Sequence, residues 1–329
     1  MLEVTLEFVL FLAKTVTLLA ALVFVTGIFV NVSRRNREAE GLKVTNLNQR
    51  LRQAADGLRE AFLPKAQRKR LAKQRKQDAK AARERRRKRV FVLDFRGDIR
   101  ARATASLREE VSAVLAVVEQ GDEVLVRLEN AGGLVHEHGF AASQLVRIKE
   151  HGIPLTVAVD KVAASGGYLM ACVADRIIAA PFAIVGSIGV LAQIPNFRRM
   201  LDERGVTVEQ VKAGRYKRTV SMFGEVTDED RDKLREELEE IHTLFRAMVE
   251  KYRPGLDMER VATGEHWYGS RALELGLIDE VGTSDDWLAR IVDEADAWRV
   301  EWRAPKRFMD KLSAAMDEGS LGHLARFWR

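Results

Sequence analysis

A single cysteine, Cys172, among 329 residues excludes an internal disulfide, and its apolar setting (YLMACVAD) makes it a small packing residue. Residues 15 to 33 lack any charged side chain. With the flanking EFVLFLAK they reach the roughly 20 apolar residues that a bilayer core requires, and a retained transmembrane anchor over residues 1 to 33 is expected. Glu3 and Glu7 precede that run, where a cleaved signal peptide would carry basic residues. Acidic residues are scarce from 65 to 89, where fourteen Lys and Arg meet only Asp78 and Glu84. That segment alone is net +12, which leaves −6 for the rest of a chain whose total is +6. The basicity therefore belongs to one segment, which argues against nucleic acid and for anionic lipid headgroups as its partner. There is no internal repeat.

What is present divides into four parts. The anchor is followed, over residues 34 to 89, by an amphipathic helix (Val44, Leu47, Leu51, Ala55, Leu58, Phe62) closed by Pro64, and then by the basic run. From 90 to 300 strand-like and helix-like segments alternate: RVFVLDF, TASLREEVSAVLAVVEQG, DEVLVRLEN, FAASQLVRIKEHG and IPLTVAVD. This order predicts an α/β fold with a largely parallel sheet. SIGVLAQI and VTVEQVKAG read as further strands, and NFRRMLDERG as a helix. Thr227 and Asp230 open a long amphipathic helix. The tail, residues 301 to 329, carries Phe308, Leu312, Met316, Leu321, Leu324, Phe327 and Trp328 among basic residues, and is expected to dock on membrane or protein.

The chemistry concentrates in DKVAASGGYLMACVADRIIAAPFAIVGSIGV, residues 160 to 190. Ser165 stands between a strand and an apolar helix, where free N–H groups favour a developing negative charge. Taken alone it is as readily an N-cap. A second glycine turn, Asn130-Ala131-Gly132-Gly133, ends another strand, and the two turns together could hold one oxyanion. A serine nucleophile needs a base, and none of the six histidines lies within the 50 residues after Ser165. His136 and His138 flank Glu137, too few ligands to indicate zinc, and a solvated or loop role is expected for both. Lysine can serve when it is neutral. Lys217, between Arg215 and Arg218, fits that demand, and Lys161 is its rival.

These residues resemble the signal peptide peptidase A family from about residue 89 to 290. The likeness rests on AASGGY with Ser165, VGSIGV at 185 to 190, AGRYKR with Lys217, and ATGEHWYGSRALELGLIDEVG at 262 to 282. It implies a Clp-protease/crotonase-like fold and a membrane-anchored serine endopeptidase with a Ser/Lys dyad. Ser165 would be the nucleophile, Lys217 the base and Ser187 the residue orienting it. Gly166 and Gly132 would be the oxyanion donors, while Ile188, Gly189 and Val190 would bind an extended substrate. Signal peptides or other membrane-derived peptides would be the substrates, the chains would assemble as a homo-oligomeric ring, and no cofactor or metal would be needed. The setting would be a bacterial inner membrane crossed once. The family places the catalytic domain outside, whereas the basic run would place it in the cytoplasm. One departure stands out: the family's Ser-Pro-Gly-Gly is Asn130-Ala131-Gly132-Gly133 here. A catalytically impaired scaffold and a crotonase-type acyl-CoA enzyme are the alternatives.

Overall fold

The computed structural model describes residues 10–12, 14–19, 41–64, 67 and 87–303. Most of the expected anchor, most of the basic run and the tail beyond 303 lie outside the described residues. Among the described residues no helix is long and apolar enough to cross a membrane. The chain divides into residues 44–301 and a second unit of residues 1–43 with 302–329.

Apolar residues come in near-continuous runs at the centre of the larger unit, because its strands are covered on both faces. The strands β1 (Gly41–Asn46), β2 (Lys88–Arg96), β3 (Glu123–Glu129), β4 (Leu155–Val159), β6 (Arg176–Ala179), β9 (Glu280–Val281) and β10 (Ala295–Arg303) form one sheet. Their order is β1-β10-β2-β3-β4-β6-β9. The ladders from β10 across to β9 are parallel. The period of two along β2 sorts the core. Phe91, Leu93 and Phe95 face one cluster, with Leu107 and Val111 of α2 (Thr104–Leu115), Leu145 and Ile148 of α3 (Val135–Glu150) and Tyr168 of α4 (Gly166–Ala171). Val90 and Val92 face the other, with Leu47 of α1 (Leu47–Phe62) and Trp287 and Leu288 of α9 (Ser284–Ile291).

A second, three-stranded sheet in the order β5-β7-β8 joins β5 (Val162–Ala164), β7 (Ile184–Gly186) and β8 (His266–Tyr268). β5 runs parallel to β7, and β8 antiparallel to it. The remaining helices are α5 (Arg198–Asp202), α6 (Asp228–Tyr252), α7 (Met258–Val261) and α8 (Gly269–Glu274). Thr227 caps α6 through a reciprocal capping box with Asp230, as its sequence predicts.

Three expectations are corrected. Val44 belongs to β1, so the first amphipathic helix begins only at Leu47. SIGVLAQI is a strand nowhere along its length, because the strand ends at Gly186. VTVEQVKAG forms no strand either. Its alternating valines find no sheet edge, and Val206, Val208 and Val211 are exposed, which shows β-propensity yielding to the absence of a partner.

Cys172 is fully buried and its thiol donates to Leu169 O; burial pushes its ionisation up to about 12, so it is an inert packing group. Asn48 is a buried polar tie. Its Nδ2 donates to Val292 O and Ala295 O, both at 2.8 Å, and its Oδ1 accepts the Ala297 N–H at 2.6 Å. Asn48→Ala should therefore strip three bonds at once and lower stability by roughly 2–3 kcal/mol, read from denaturant unfolding.

Candidate active site

Two serines with positive φ sit side by side at the carboxyl ends of paired strands. Ala164 of β5 lies opposite Gly186 of β7, so the next residue on each strand is Ser165 and Ser187. Their φ values are +52° and +53°, in a region that non-glycine residues enter only when the surroundings hold them there. The holding bonds are the Ser165 N–H to Gly186 O at 2.8 Å and the Ser187 N–H to Glu265 O at 2.7 Å. Leu169 N–H then donates to Ser165 O at 3.0 Å as α4 begins. The Ser165 side chain caps nothing, so its hydroxyl is left for other work. Both serines are half-buried.

The glycine turn after β3 lies directly against Ser165. A Cβ on Gly132 would stand 2.7 Å from Ser165 Cβ and 2.9 Å from Gly166 N, and Gly132 has φ +90°, so only glycine fits. This contact brings Ser165, Gly166 and Gly132 together as the sequence predicts. The donors differ from expectation, however. Gly166 N–H opens α4 without an acceptor among the described residues. Gly132 N–H is donated to Asn130 Oδ1 at 2.9 Å and is already taken within the turn.

The substrate-binding residues divide. Ile188 is fully buried in the core and its carbonyl accepts the Gly264 N–H at 3.1 Å, so it does not line a groove. Gly189 and Val190 are half-exposed. The segment ATGEHWYG has a structural task that its sequence did not announce: β8 covers the free edge of β7. AASGGY is anchored from the far side, where the fully buried Tyr168 hydroxyl donates to Leu277 O at 2.8 Å.

Lys217 is not brought to the serines. It is exposed, its N–H donates to Gly214 O, and among the described residues no hydrogen bond joins its amine to Ser165 or Ser187. Arg215, expected to add bare positive charge beside it, is paired with Glu229 at 2.6 Å. The rival Lys161 pairs with Glu129 at 3.0 Å. A cavity of about 350 Å³ lies nearby in sequence, lined by Arg198, Val206, Val208, Lys212, Phe223 and Asp230, but Ser165 does not line it. His138, expected to be a loop residue, is fully buried, with its ring nitrogens on Leu134 O and Asn130 Oδ1.

Two family models match the chain: "Peptidase family S49 N-terminal" over residues 3–145 and "Peptidase family S49" over residues 147–297. A "Probable protease SohB" of Haemophilus influenzae is 42% identical, over 97% of this chain and 94% of its own. A protein of the same name from Buchnera aphidicola is 50% identical, over 70% of this chain and 68% of its own. Among solved structures, a mutant of the "1510-N membrane-bound stomatin-specific protease" aligns with TM-score 0.41 and 16% identity, covering 63% of this chain and 86% of that one.

The packing at Gly132 sets a test of the site. Gly132→Ala should lower peptide cleavage by about 100-fold or more, because the methyl displaces Ser165 by a sizeable fraction of an ångström. Circular dichroism and steady-state cleavage of a fluorogenic peptide check it together.

Proposed function

Because this chain belongs to peptidase family S49, we propose that it is a membrane-anchored serine endopeptidase in which Ser165 is the nucleophile and Lys217 the general base. The observation that carries the reading is Ser165 itself: held at φ +52° at the mouth of α4, its hydroxyl uncapped, against a glycine turn that leaves no room for a side chain. A strained backbone at such a point is a cost that a mere N-cap would not require. In this reading the fold is of the Clp-protease/crotonase-like type, with β5, β7 and β8 as the platform for the dyad.

The reaction is acyl transfer in two halves. Ser165 Oγ attacks the peptide carbonyl carbon while its proton passes to Lys217 Nζ, and the oxyanion forms beside Gly166 N–H. The C–N bond then breaks and the amine departs with the proton from Lys217. Water attacks the acyl-Ser165 ester, giving its proton to the now neutral Lys217 Nζ, and the acid leaves as Lys217 returns that proton to Ser165 Oγ. Ser187, next to Ser165 across the β5–β7 pair, would orient the lysine once the two are joined. Gly189 and Val190 would take an extended peptide, such as a signal peptide or another membrane-derived apolar segment.

A lysine works as a base only when water is kept from it, and Lys217 is exposed here. Its loop must therefore be covered in the working enzyme, either by closing within one chain or by a neighbouring copy in a ring. Residues 15 to 33 would anchor the chain in a bacterial inner membrane, with residues 65 to 89 on anionic headgroups. Protease accessibility in spheroplasts should show the catalytic domain on the outer side if the family's placement holds, and on the cytoplasmic side if the basic run governs.

Ser165→Ala and Lys217→Ala should each reduce cleavage of a fluorogenic peptide by at least about 1,000-fold. Unchanged cleavage in both would refute the dyad. Mixing the two inactive variants as full-length chains should restore cleavage if Lys217 is supplied by a neighbour, and should restore none if its loop closes on its own chain.

A further inference from the structure

Asn130 is the residue on which the glycine turn and the nucleophile strand meet. Its N–H donates to Val162 O at 2.9 Å and its carbonyl accepts the Ala164 N–H at 3.0 Å, which ties the end of β3 to the strand leading into Ser165. Its side chain, in a residue only 1% exposed, works on the other side. Oδ1 takes the Gly132 N–H at 2.9 Å and faces His138 Nε2 at 3.2 Å, and Nδ2 points at Met170 Sδ of α4 at 3.4 Å. The roles follow from chemistry. A backbone N–H can only donate, so Oδ1 must face Gly132, and the His138 ring lies with Nε2 against the same oxygen. His138 in turn is held by its position in the first turn of α3, with Nδ1 2.9 Å from Leu134 O. Its ring also packs beneath Gly166, where a Cβ would stand 2.4 Å from His138 Cγ.

We propose that Asn130, oriented by His138, is a positioning residue that sets the Gly132 turn against Ser165 and Gly166. Ala131 is exposed and gives that turn no stiffness of its own. The side-chain bond from Asn130 does what a ring at position 131 would do by fixing φ, and it does so from within the core. Removing it frees the turn next to the attacking hydroxyl, which disturbs the reacting geometry far more than the binding of an extended peptide at Gly189 and Val190. The inference rests on Ser165 being the nucleophile.

The test uses the full-length chain in detergent, with kcat and KM for a fluorogenic apolar peptide, the rate of Ser165 labelling by a fluorophosphonate, and thermal melting. Asn130→Ala should lower kcat and the labelling rate about 10- to 100-fold with KM within about threefold, in the range expected for sub-ångström misplacement. Asn130→Asp, which keeps an acceptor oxygen in place, should recover most of that loss. His138→Phe should lower kcat in the same direction, and adding Ala131→Pro to it should restore activity by stiffening the turn independently. Unchanged or raised kcat in Asn130→Ala would overturn the proposal, a rise meaning that Oδ1 obstructs a donor. An Asp variant as impaired as Ala, or no restoration by Ala131→Pro, would also overturn it. Should Asn130→Ala fail to fold, His138→Phe with and without Ala131→Pro carries the same decision. A wild-type chain that cleaves but is not labelled at Ser165 would overturn the nucleophile reading, and this inference with it. Labelling of wild type with unaffected variants would overturn the inference alone.

Discussion

The hydrogen bond from Ser165 N–H to Gly186 O, 2.8 Å long, is the constraint on which the site depends. It extends the β5–β7 pairing one residue past the end of β5 and so keeps Ser165 at a φ of +52° that the residue would not choose. Without it the chain could relax into an ordinary helix entry, with the hydroxyl folded back as a cap. The bond is strong only because β7 is itself fixed. β8 pairs along its other edge, and the Ser187 N–H to Glu265 O and Gly264 N–H to Ile188 O bonds carry that pairing past Gly186. A segment about 100 residues downstream of Ser165 is thereby part of what strains it.

The large sheet supplies the opposing wall. β3 and β4 are neighbours, so the Gly132 turn and the segment leading to Ser165 leave the sheet side by side. The bridge between Asn130 and Ala163 then joins the two sheets at the point where chemistry is expected. Loops at the carboxyl ends of parallel strands gather sites for this reason: the strands converge their ends while leaving the loops free to specialise. Here the freedom has been used for close approach, with glycine where a methyl would collide with Ser165 Cβ.

Much of this was legible in the sequence because its signals are local. The near-continuous apolar runs of β2, β3 and β4 and the capping box at Thr227 need no knowledge of neighbours. Ser165 and its glycines were legible as a motif. The failures share a different cause, which is that burial and pairing are settled by distant residues. VTVEQVKAG has the pattern of a strand and no edge to join. Ile188 sits in a motif that suggests a groove, but alternation past β7 turns its side chain into the core. His138 looked like one of two loop histidines around Glu137. The first turn of α3 separates them, leaving His136 exposed and His138 wholly buried. The change from the family's Ser-Pro to Asn130-Ala131 was visible as a departure, but that its amide would close back on Gly132 was not.

Among the described residues no hydrogen bond joins Lys217 to Ser165, and in the proposed reading its surroundings say what kind of event would join them. The segment from Leu191 to Phe223 is irregular except for α5, and it exposes Leu191, Val206, Val208, Val211, Tyr216, Met222 and Phe223. Apolar side chains gathered in this density on one segment are costly in water, and any contact that covers them is favoured. The same contact would strip water from the neighbouring amine, which is the condition a lysine must meet before it can take a proton from serine. Burial of the loop and activation of Lys217 as the proposed base would then be one event. Under the proposed reading, a chain on its own, with this segment bare, would hold Ser165 already strained into place and Lys217 still in water. Such a division would suit a peptidase: the backbone-level arrangement at Ser165 is built by the fold, and in the proposed reading reactivity would follow the contact that covers residues 191 to 223.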